Sequence, residues 1–397
     1  MSAVTERRDK VLYIGAFELP GGNAAARRVL GNAKLLRALG HETVFLHQKA
    51  GVQESVTSYC GFECHEFPTT PGRGTLLRGL WDTGLVERVL KVREDIGVLI
   101  AYNYPAIALA RLRVYCRARG ILCLADVADW YGSRGRSLAY KVVKGLDTIL
   151  RMRVIHKRLD GLIVVSSYLE RYYDESVPIV RIPPLYDLTD GVWLSPPVAS
   201  AESGVTLVYA GSPSNEKERL DLLVAAVLSI ASRHNVILHV VGITRKQYQH
   251  MYRASPQLWA EDHSEDLAAE NGAIVFHGRV SHEMALDFVR RANYTVLVRE
   301  SNRVTMAGFP TKFVESIACG TPVIANDSSD LAAYLYGGQN GFLVSLGALQ
   351  ADLERIVGDV HTIQVNRDLF DYHAYEPAMR EFLSVVSAGG IPDMRPL

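Results

Sequence analysis

Residues 308–327 decide the fold, and they read Gly-Phe-Pro-Thr-Lys-Phe-Val-Glu-Ser-Ile-Ala-Cys-Gly-Thr-Pro-Val-Ile-Ala-Asn-Asp. Pro310 suits the first turn of a helix, where its missing N–H costs nothing. Gly320 supplies a left-handed stop, and Pro322 prevents continuation. One predicted helix face is apolar and carries Phe313, Val314, Ile317 and Ala318. A short buried strand follows at 323–325, so the stretch predicts a helix and strand of an α/β fold.

The start of this helix is a candidate anion site. Gly308 and the backbone of 308–311 (Gly308, Phe309, Pro310 and Thr311) precede it, and Lys312 lies in its first turn. Free N–H groups and the helix dipole favour a negative ligand there. Glu315 is three residues after Lys312 and shares its face, so the alternative is a surface ion pair.

The chain has 397 residues and 48% hydrophobic residues, which favours two domains. Residues 1–185 carry 27 Lys+Arg against 18 Asp+Glu, and the remainder carries 16 against 25. This division suggests different partners for the two halves. We expect no signal peptide and no membrane span, hence a cytoplasmic protein that is soluble or peripheral to the inner face of a membrane.

Five cysteines without a CxxC pair fit reduced cytosolic thiols. Cys60 and Cys64 are half of a metal site at most, because no second pair completes it. The cysteines therefore predict no metal site, and we also expect no cofactor.

The N-terminal half alternates short apolar runs with helical stretches, which predicts a doubly wound sheet. Its first strand, at 11–16, leads into Gly21, Gly22 and Asn23 before a helix at 24–39. The loop lacks the GxGxxG dinucleotide fingerprint. A ligand role is favoured by its position at the carboxyl end of a strand, and a plain tight turn is the alternative.

Asp126 ends another predicted strand, at 121–126, and Asp129 follows it. They are candidates to grip sugar or acceptor hydroxyls. Helix capping is the alternative.

Residues 134–158 carry eight Lys/Arg and a single acid, Asp147, with aliphatic residues at helical spacing. Such a basic amphipathic helix suits an anionic membrane surface. A domain helix with a solvated face is an equal alternative. Nucleic acid is not expected, because no aromatic platform is interleaved with the charges.

Proline pairs and a small-residue stretch near 183–204 mark a linker. We predict an N-terminal domain at 1–190, a second α/β domain at 191–370, and a C-terminal helix at 371–397 that packs back towards the first. Predicted strands of the second domain are 205–210, 236–241, 273–277, 295–298 and 323–325.

Five stretches resemble glycosyltransferase family 4, in matching order over nearly the whole chain. They are Leu-Gly-His-Glu-Thr-Val at 39–44, Leu-Asp-Gly-Leu-Ile-Val-Val-Ser-Ser at 159–167, Tyr-Ala-Gly-Ser-Pro-Ser-Asn-Glu-Lys at 209–217, Phe-His-Gly-Arg-Val at 276–280, and 308–327. The resemblance implies the GT-B fold: two Rossmann-like, doubly wound α/β domains facing a central cleft. It implies retaining sugar transfer from a UDP-, GDP- or dTDP-sugar, as co-substrate, to a glycan or lipid-linked acceptor of surface polysaccharide or glycolipid biosynthesis.

The resemblance also implies residue roles. Lys217 and Lys312 would stabilise the diphosphate leaving group, since no DxD pair is present to hold a metal. Glu315 would accept hydrogen bonds from ribose hydroxyls. The stretch 209–217 resembles the turn that contacts phosphate in the family, and we call it the phosphate turn. The donor would also contact the glycine loop, this turn and the helix start, that is Gly21, Gly22, Asn23, Gly211, Ser212, Gly308, Phe309, Pro310 and Thr311.

Three departures from the family pattern stand out. Ser212 replaces an arginine, Ala307 replaces a first glutamate, and 126–130 replaces a common histidine. Arg299 or Arg303 could restore the lost charge, and we favour Arg303. Two other functions stay open: a nucleotide-sugar 2-epimerase of the same fold, and a non-catalytic sugar-nucleotide-binding partner subunit.

Overall fold

The computed structural model describes residues 8–19, 23–49, 51–69, 79–130, 138–173, 177–195, 204–214, 217–252, 272–359 and 362–389. They form two compact units. The first unit runs to Tyr186 and resumes at Tyr372, and the second unit is Asp187–Asp371.

The first unit contains an eight-stranded sheet in its described residues, in the order β3-β4-β2-β1-β5-β6-β7-β8. Every neighbouring pair is parallel except β3 with β4. The strands are β1 Lys10–Gly15, β2 Thr43–Lys49, β3 Ser55–Tyr59, β4 Phe62–Pro68, β5 Ile96–Tyr102, β6 Leu122–Val127, β7 Gly161–Val164 and β8 Ile179–Arg181.

The hairpin of β3 and β4 was not predicted. Its turn is Cys60-Gly61, with φ of 51° and 76°, a conformation that hairpin turns require. Cys60 is exposed at this turn, whereas Cys64 is buried on β4. Within the described residues no group of three or more His, Cys, Asp or Glu is placed to hold a metal ion.

Helices cover the first sheet. They are α1 Ala24–Ala38, α2 Gly84–Val92, α3 Ala106–Arg117, α4 Leu138–Leu150, α5 Ser167–Tyr173 and, from the chain's end, α14 Glu376–Ala388. A π-helical turn, Arg151–Ile155, continues α4. The helix α14 packs into the core of the first unit through Met379 and Phe382. A Cβ on Gly161 would lie 2.7 Å from the Phe382 ring, so this close approach requires glycine.

The second unit contains a six-stranded parallel sheet in its described residues, in the order β11-β10-β9-β12-β13-β14. The strands are β9 Val205–Ala210, β10 Val236–Val241, β11 Ile274–Gly278, β12 Tyr294–Leu297, β13 Val323–Asn326 and β14 Gly341–Val344. The helices are α6 Gly191–Leu194, α7 Leu220–Ala231, α8 Arg245–Met251, α9 His282–Arg291, α10 Arg303–Ala307, α11 Thr311–Cys319, α12 Leu331–Leu335 and α13 Leu349–Gly358. Chain order reverses between β9 and β12, and ligands of open α/β sheets bind outside the carboxyl ends at such a point.

The deciding stretch folds as α11 and β13. Its four apolar-face residues are buried, and Gly320 ends the helix with φ of 76°. Pro310 is not in the first turn as predicted. It is the N-cap residue, with φ of −76°, and the helix begins at Thr311. Pro310 thus stiffens the entry to the helix from outside it.

Candidate functional site

Four polar side chains gather near the carboxyl ends of β9 and β12, and we call them the Lys312 cluster: Tyr209, Glu218, Arg299 and Lys312. Tyr209 lies on β9, Arg299 follows β12, and Lys312 comes from the first turn of α11. All four belong to the second unit. The cluster therefore occupies the switch point where a ligand is expected.

Lys312 is the centre of this cluster. Its Nζ lies 3.0 Å from Glu218 Oε1 and 2.9 Å from the Tyr209 hydroxyl. Its stem passes so close to Gly211 that a Cβ there would lie 2.2 Å from Lys312 Cε. Gly211 has φ of 139°, which favours glycine for conformational reasons as well. Lys312 thus forms a partly buried ion pair with Glu218, whereas the alternative named from the sequence was a surface pair with Glu315.

Glu218 ties the lysine to the predicted phosphate turn. Its second carboxylate oxygen accepts a hydrogen bond of 2.9 Å from the Ser214 N–H. Its backbone forms an isolated bridge with Arg299. One acid therefore orders both the turn after β9 and the lysine of α11.

Burial and charge shape the titration of the cluster. Burial lowers the pKa of Lys312 below its ordinary value, Glu218 opposes this, and the positive charge of Arg299 lowers the pKa further. Burial and the Glu218 charge raise the pKa of Tyr209 well above its usual value. The tyrosine thus stays protonated at neutral pH.

Lys217 is held by its backbone beside β12. Its carbonyl accepts from Glu300 N–H at 2.9 Å, and the next-but-one residue, Arg219, donates its N–H to Val298. Ser212 is exposed on the turn after β9. Asn215 and Glu216 of this turn lie outside the described residues. Lys217 therefore lies in the segment after β9 that is bonded to the segment after β12. Lys312 lies in the cluster near the carboxyl ends of the same two strands.

The helix start combines binding and packing positions. The Gly308 carbonyl accepts from Ser329 Oγ at 2.5 Å. Phe309 packs its ring against Phe313 and Phe370, at centroid separations of 6.2 and 5.7 Å. Thr311 is partly exposed at the first helical position. The geometry gives Phe309 a packing role, and the helix N-terminus stays the candidate anion-binding element.

Glu315 lies one turn further along α11, and its Oε1 is 3.0 Å from His282 Nε2. His282 opens α9, where Ser281 is the N-cap residue. The carboxylate is only partly covered, with 16% of its side chain exposed. It can therefore accept hydrogen bonds from a ligand as well as from the histidine.

The two candidate arginines differ in setting. Arg303 is exposed at the first position of α10. Arg299 is buried, its N–H donates to Asn326 Oδ1 at 2.7 Å, and its charge acts on Lys312 and Tyr209. Glu300, the next residue along the chain, has its Oε2 3.2 Å from Arg219 Nη1. The structure brings Arg299 to the cluster, which shifts our preference from Arg303 to Arg299.

In the first unit, Asn23 caps α1 by accepting from Ala26 N–H at 2.8 Å. Gly21 and Gly22 lie outside the described residues. Asn23 therefore has a structural role at the helix start, and the ligand role of this loop stays a prediction.

Asp126 is fully buried at the carboxyl end of β6, where its carboxylate binds three side chains. Arg28 Nη2 approaches to 2.6 Å, the Tyr13 hydroxyl donates at 2.6 Å, and Asn32 donates at 3.3 Å. Burial, followed by the Asp126 charge, raises the pKa of Tyr13 well above its usual value. The network favours a structural role for Asp126, different from helix capping, while Asp129 is half-buried and nearer solvent.

Two family models match the chain in order. "Glycosyl transferase 4-like domain" matches residues 23–184, and "Glycosyl transferases group 1" matches residues 204–359. Two relatives are phosphatidyl-myo-inositol mannosyltransferases. The enzyme of Mycobacterium leprae is 25% identical over 86% of this chain and 84% of its own length. The enzyme of Mycolicibacterium smegmatis is 25% identical over 94% of this chain and 89% of its own length. The chain belongs to glycosyltransferase family 4.

Solved structures place this transferase in the GT-B fold. Sucrose-phosphate synthase from Thermosynechococcus elongatus matches with a TM-score of 0.69 and 17% identity, covering 96% of this chain and 100% of its own. Anabaena HepE in complex with UDP matches with a TM-score of 0.62 and 14% identity, covering 94% and 99%. These likenesses establish the fold, and the family establishes an enzyme that transfers sugars.

Sequence reasoning missed three residues of the site, Tyr209, Glu218 and His282. Glu218 follows Lys217 directly and could have been noticed as an acid beside that lysine. His282 carried no signal, because only the fold brings the start of α9 to Glu315.

Proposed function

We propose that this transferase moves a hexosyl group, with retained anomeric configuration, from a nucleotide sugar to a lipid-linked acceptor of glycolipid or surface polysaccharide biosynthesis. The observation that carries the donor side is the Lys312 cluster at the switch point, directly beneath the start of α11. A diphosphate needs positive charge and free N–H groups, and this place supplies both.

The leaving nucleoside diphosphate gains negative charge as the glycosidic bond breaks. Lys312 and Lys217 supply two cations, and Arg299 supplies a third in place of the arginine that Ser212 replaces. Glu218 holds Lys312 before the donor arrives, so little reorganisation is needed in the transition state. Glu315, whose side chain is 16% exposed, would accept hydrogen bonds from the ribose hydroxyls.

The acceptor is proposed from the relatives. Their name states transfer of mannose to phosphatidyl-myo-inositol, so a mannosyl donor and an inositol phospholipid are the first pair to test. HepE holds UDP, which makes uridine nucleotides the second donor class to test. The basic first unit suits an acceptor that carries phosphate.

The test is release of nucleoside diphosphate when the protein meets GDP-mannose, UDP-glucose or dTDP-glucose, with and without phosphatidylinositol in detergent micelles. Acceptor-dependent release supports the proposal, and the anomeric configuration of the product by NMR tests retention. Interconversion of the donor sugar without acceptor would indicate an epimerase. Nucleotide binding with neither reaction would indicate a non-catalytic partner subunit.

The arginine assignment has its own test in the same assay. Arg299→Lys should lower turnover by about tenfold, because the ammonium loses the planar fork that binds phosphate in two places. Arg303→Lys is the matched control on the exposed helix α10, and we expect it to keep normal turnover. The reverse result would return the role to Arg303.

A further inference from the structure

Ser329 has a backbone conformation that serine rarely adopts. It lies three residues after the end of β13, it is buried, and its φ is 57°. Residues with a Cβ are disfavoured in this left-handed region, and they keep such a conformation only where their surroundings hold it. The contacts of Ser329 therefore indicate what this conformation maintains.

Ser329 is bonded to the segment that leads into α11. Its Oγ donates to the Gly308 carbonyl at 2.5 Å, and its N–H donates to the sulfur of Met306 at 3.3 Å. Glycine would adopt the same φ without strain, but it has no hydroxyl to bond to Gly308. The hydrogen bond to Gly308 is therefore what a serine adds at this position.

The bonded Gly308 carbonyl fixes the direction of the Phe309 N–H, because the two groups belong to one peptide unit. In a trans peptide they point in opposite directions, so the N–H points away from Ser329. Among the described residues no acceptor is bonded to this N–H, although Phe309 is only 9% exposed. Together with the N–H groups that a helix start leaves without intrahelical partners, it can donate to an anion.

Asn326 holds the other end of the same segment. The Arg299 N–H donates to Asn326 Oδ1 at 2.7 Å, and Asn326 Nδ2 donates to the Arg299 carbonyl at 2.9 Å. Residues 299 and 308 are thus both fixed by the end of β13 and the loop that follows it. Backbone that is held in this way needs little rearrangement when a ligand arrives.

We propose that Ser329 is a positioning residue for the donor: by holding the Gly308 carbonyl, it directs the Phe309 N–H at the diphosphate. The inference rests on the proposed function, which puts the diphosphate at the start of α11. Ser329 itself need not touch the donor, since its hydroxyl proton is donated to Gly308. A nucleoside diphosphate should therefore lose affinity when this hydroxyl is removed, even where the fold keeps its stability.

The test compares stability with affinity in variants of the full chain. Ser329→Gly removes the hydroxyl and keeps the left-handed backbone without strain, so the thermal midpoint should stay within about 3 °C of the natural value. Its affinity for GDP or UDP, whichever binds the natural chain, should fall about tenfold in isothermal titration calorimetry. Ser329→Thr keeps the hydroxyl but adds a branched Cβ at positive φ, so it should melt at a lower temperature and bind normally.

Asn340→Gly is the matched control. Asn340 has φ of 60° in the same unit, and its side chain donates to the Tyr334 carbonyl at 3.0 Å and accepts from the Asn366 N–H at 2.8 Å. It precedes β14 at the amino ends of the parallel strands, whereas the Lys312 cluster lies near carboxyl ends. This variant should lose stability and keep its affinity for the nucleotide.

Equal affinity of Ser329→Gly and the natural chain would overturn the positioning role, and so would losses of affinity that follow the losses of stability in all three variants. Sugar transfer is judged separately. Nucleotide binding by the natural chain without transfer would reject the proposed function and leave the role of Ser329 to the comparison of variants. If the natural chain binds neither nucleotide, the donor site is rejected, and the role of Ser329 with it.

Discussion

At the scale of single residues, two buried ion pairs differ in their exposure to solvent. Arg28 and Asp126 are almost wholly inaccessible, with side-chain exposures of 4% and 0%. Lys312 and Glu218 keep 19% and 10% of their side chains exposed. Because the Arg28 pair is closed to solvent, we assign it to the fold, whereas the partly exposed Lys312 pair can exchange a partner for a ligand.

The Asp126 pair gives the first prediction. Asp126→Asn should lower the free energy of unfolding by about 3 kcal/mol or more, because Arg28 stays buried with no opposite charge. Urea denaturation measures this loss. The double replacement Arg28→Met with Asp126→Leu should recover most of the stability and retain turnover. If the double variant is stable and inactive, the carboxylate has the catalytic role that the sequence suggested.

The Lys312 pair gives the second prediction. Lys312→Met keeps the stem that packs on Gly211 and removes the charge, so turnover should fall by about tenfold or more. Tyr209→Phe removes one hydrogen bond to Nζ and is the control, with an expected loss of only a few-fold. Steady-state kinetics on the preferred donor measures both. Normal turnover in Lys312→Met would remove this lysine from the site.

At the scale of elements, α11 is the part that joins fold and chemistry. One face, with Phe313 and Ile317, is buried in the second unit, and the opposite side carries Lys312 and Glu315 towards different neighbours. The αL residue Gly320 turns the chain directly into β13. The helix is thus held at both ends, which keeps its N-terminus in place for a ligand.

The ribose role of Glu315 is the third prediction and belongs to this helix. Glu315→Ala should weaken nucleoside diphosphate binding by about tenfold or more, the usual loss for hydrogen bonds to a charged group. His282→Ala leaves the carboxylate in place and should bind at least as well as the natural chain. Isothermal titration calorimetry compares them. Equal losses in the two variants would mean that the pair only orders α9 and α11.

At the scale of the whole molecule, each unit has its own hydrophobic core. The core of the first unit includes residues of α14, so the last described helix packs with the N-terminal part of the chain.

Low pH should destabilise the first unit through His156. This histidine is buried, and its Nδ1 lies 2.7 Å from the Tyr173 hydroxyl. Burial, assisted by the Arg151 charge, holds the pKa of His156 well below its usual range.

The fourth prediction follows from this histidine. Its folded-state pKa is depressed, so below about pH 6.5 the unfolded chain binds a proton that the folded chain does not. Stability should therefore fall as pH drops below that value, by up to about 1.4 kcal/mol per pH unit. Thermal melts from neutral to mildly acid pH measure the slope. His156→Gln should flatten it, and an unchanged slope would assign the effect to other groups, His47 among them.

Much of the fold was readable because short-range rules govern it. The strands Val205–Ala210 and Val236–Val241 follow the predicted bounds, since a buried parallel strand is a continuous apolar run. Gly320 ends its helix as expected, because few residues other than glycine adopt that backbone without strain. The hairpin of β3 and β4 was missed, since its strands carry as many polar as apolar residues.

By itself the sequence determined the GT-B class, the alternation of strands and helices, and Lys217, Lys312 and Glu315 as candidate donor ligands. Only the tertiary structure decided which acid meets which base: Glu218 with Lys312, His282 with Glu315, and Arg28 with Asp126. It also decided that the aliphatic face of α4 points outward. Periodicity shows that a helix has two faces, but which face is buried depends on contacts such as Asp147 with Ala106, 41 residues apart. Helix and strand patterns are local, whereas pairing of charges is set by elements distant in the chain.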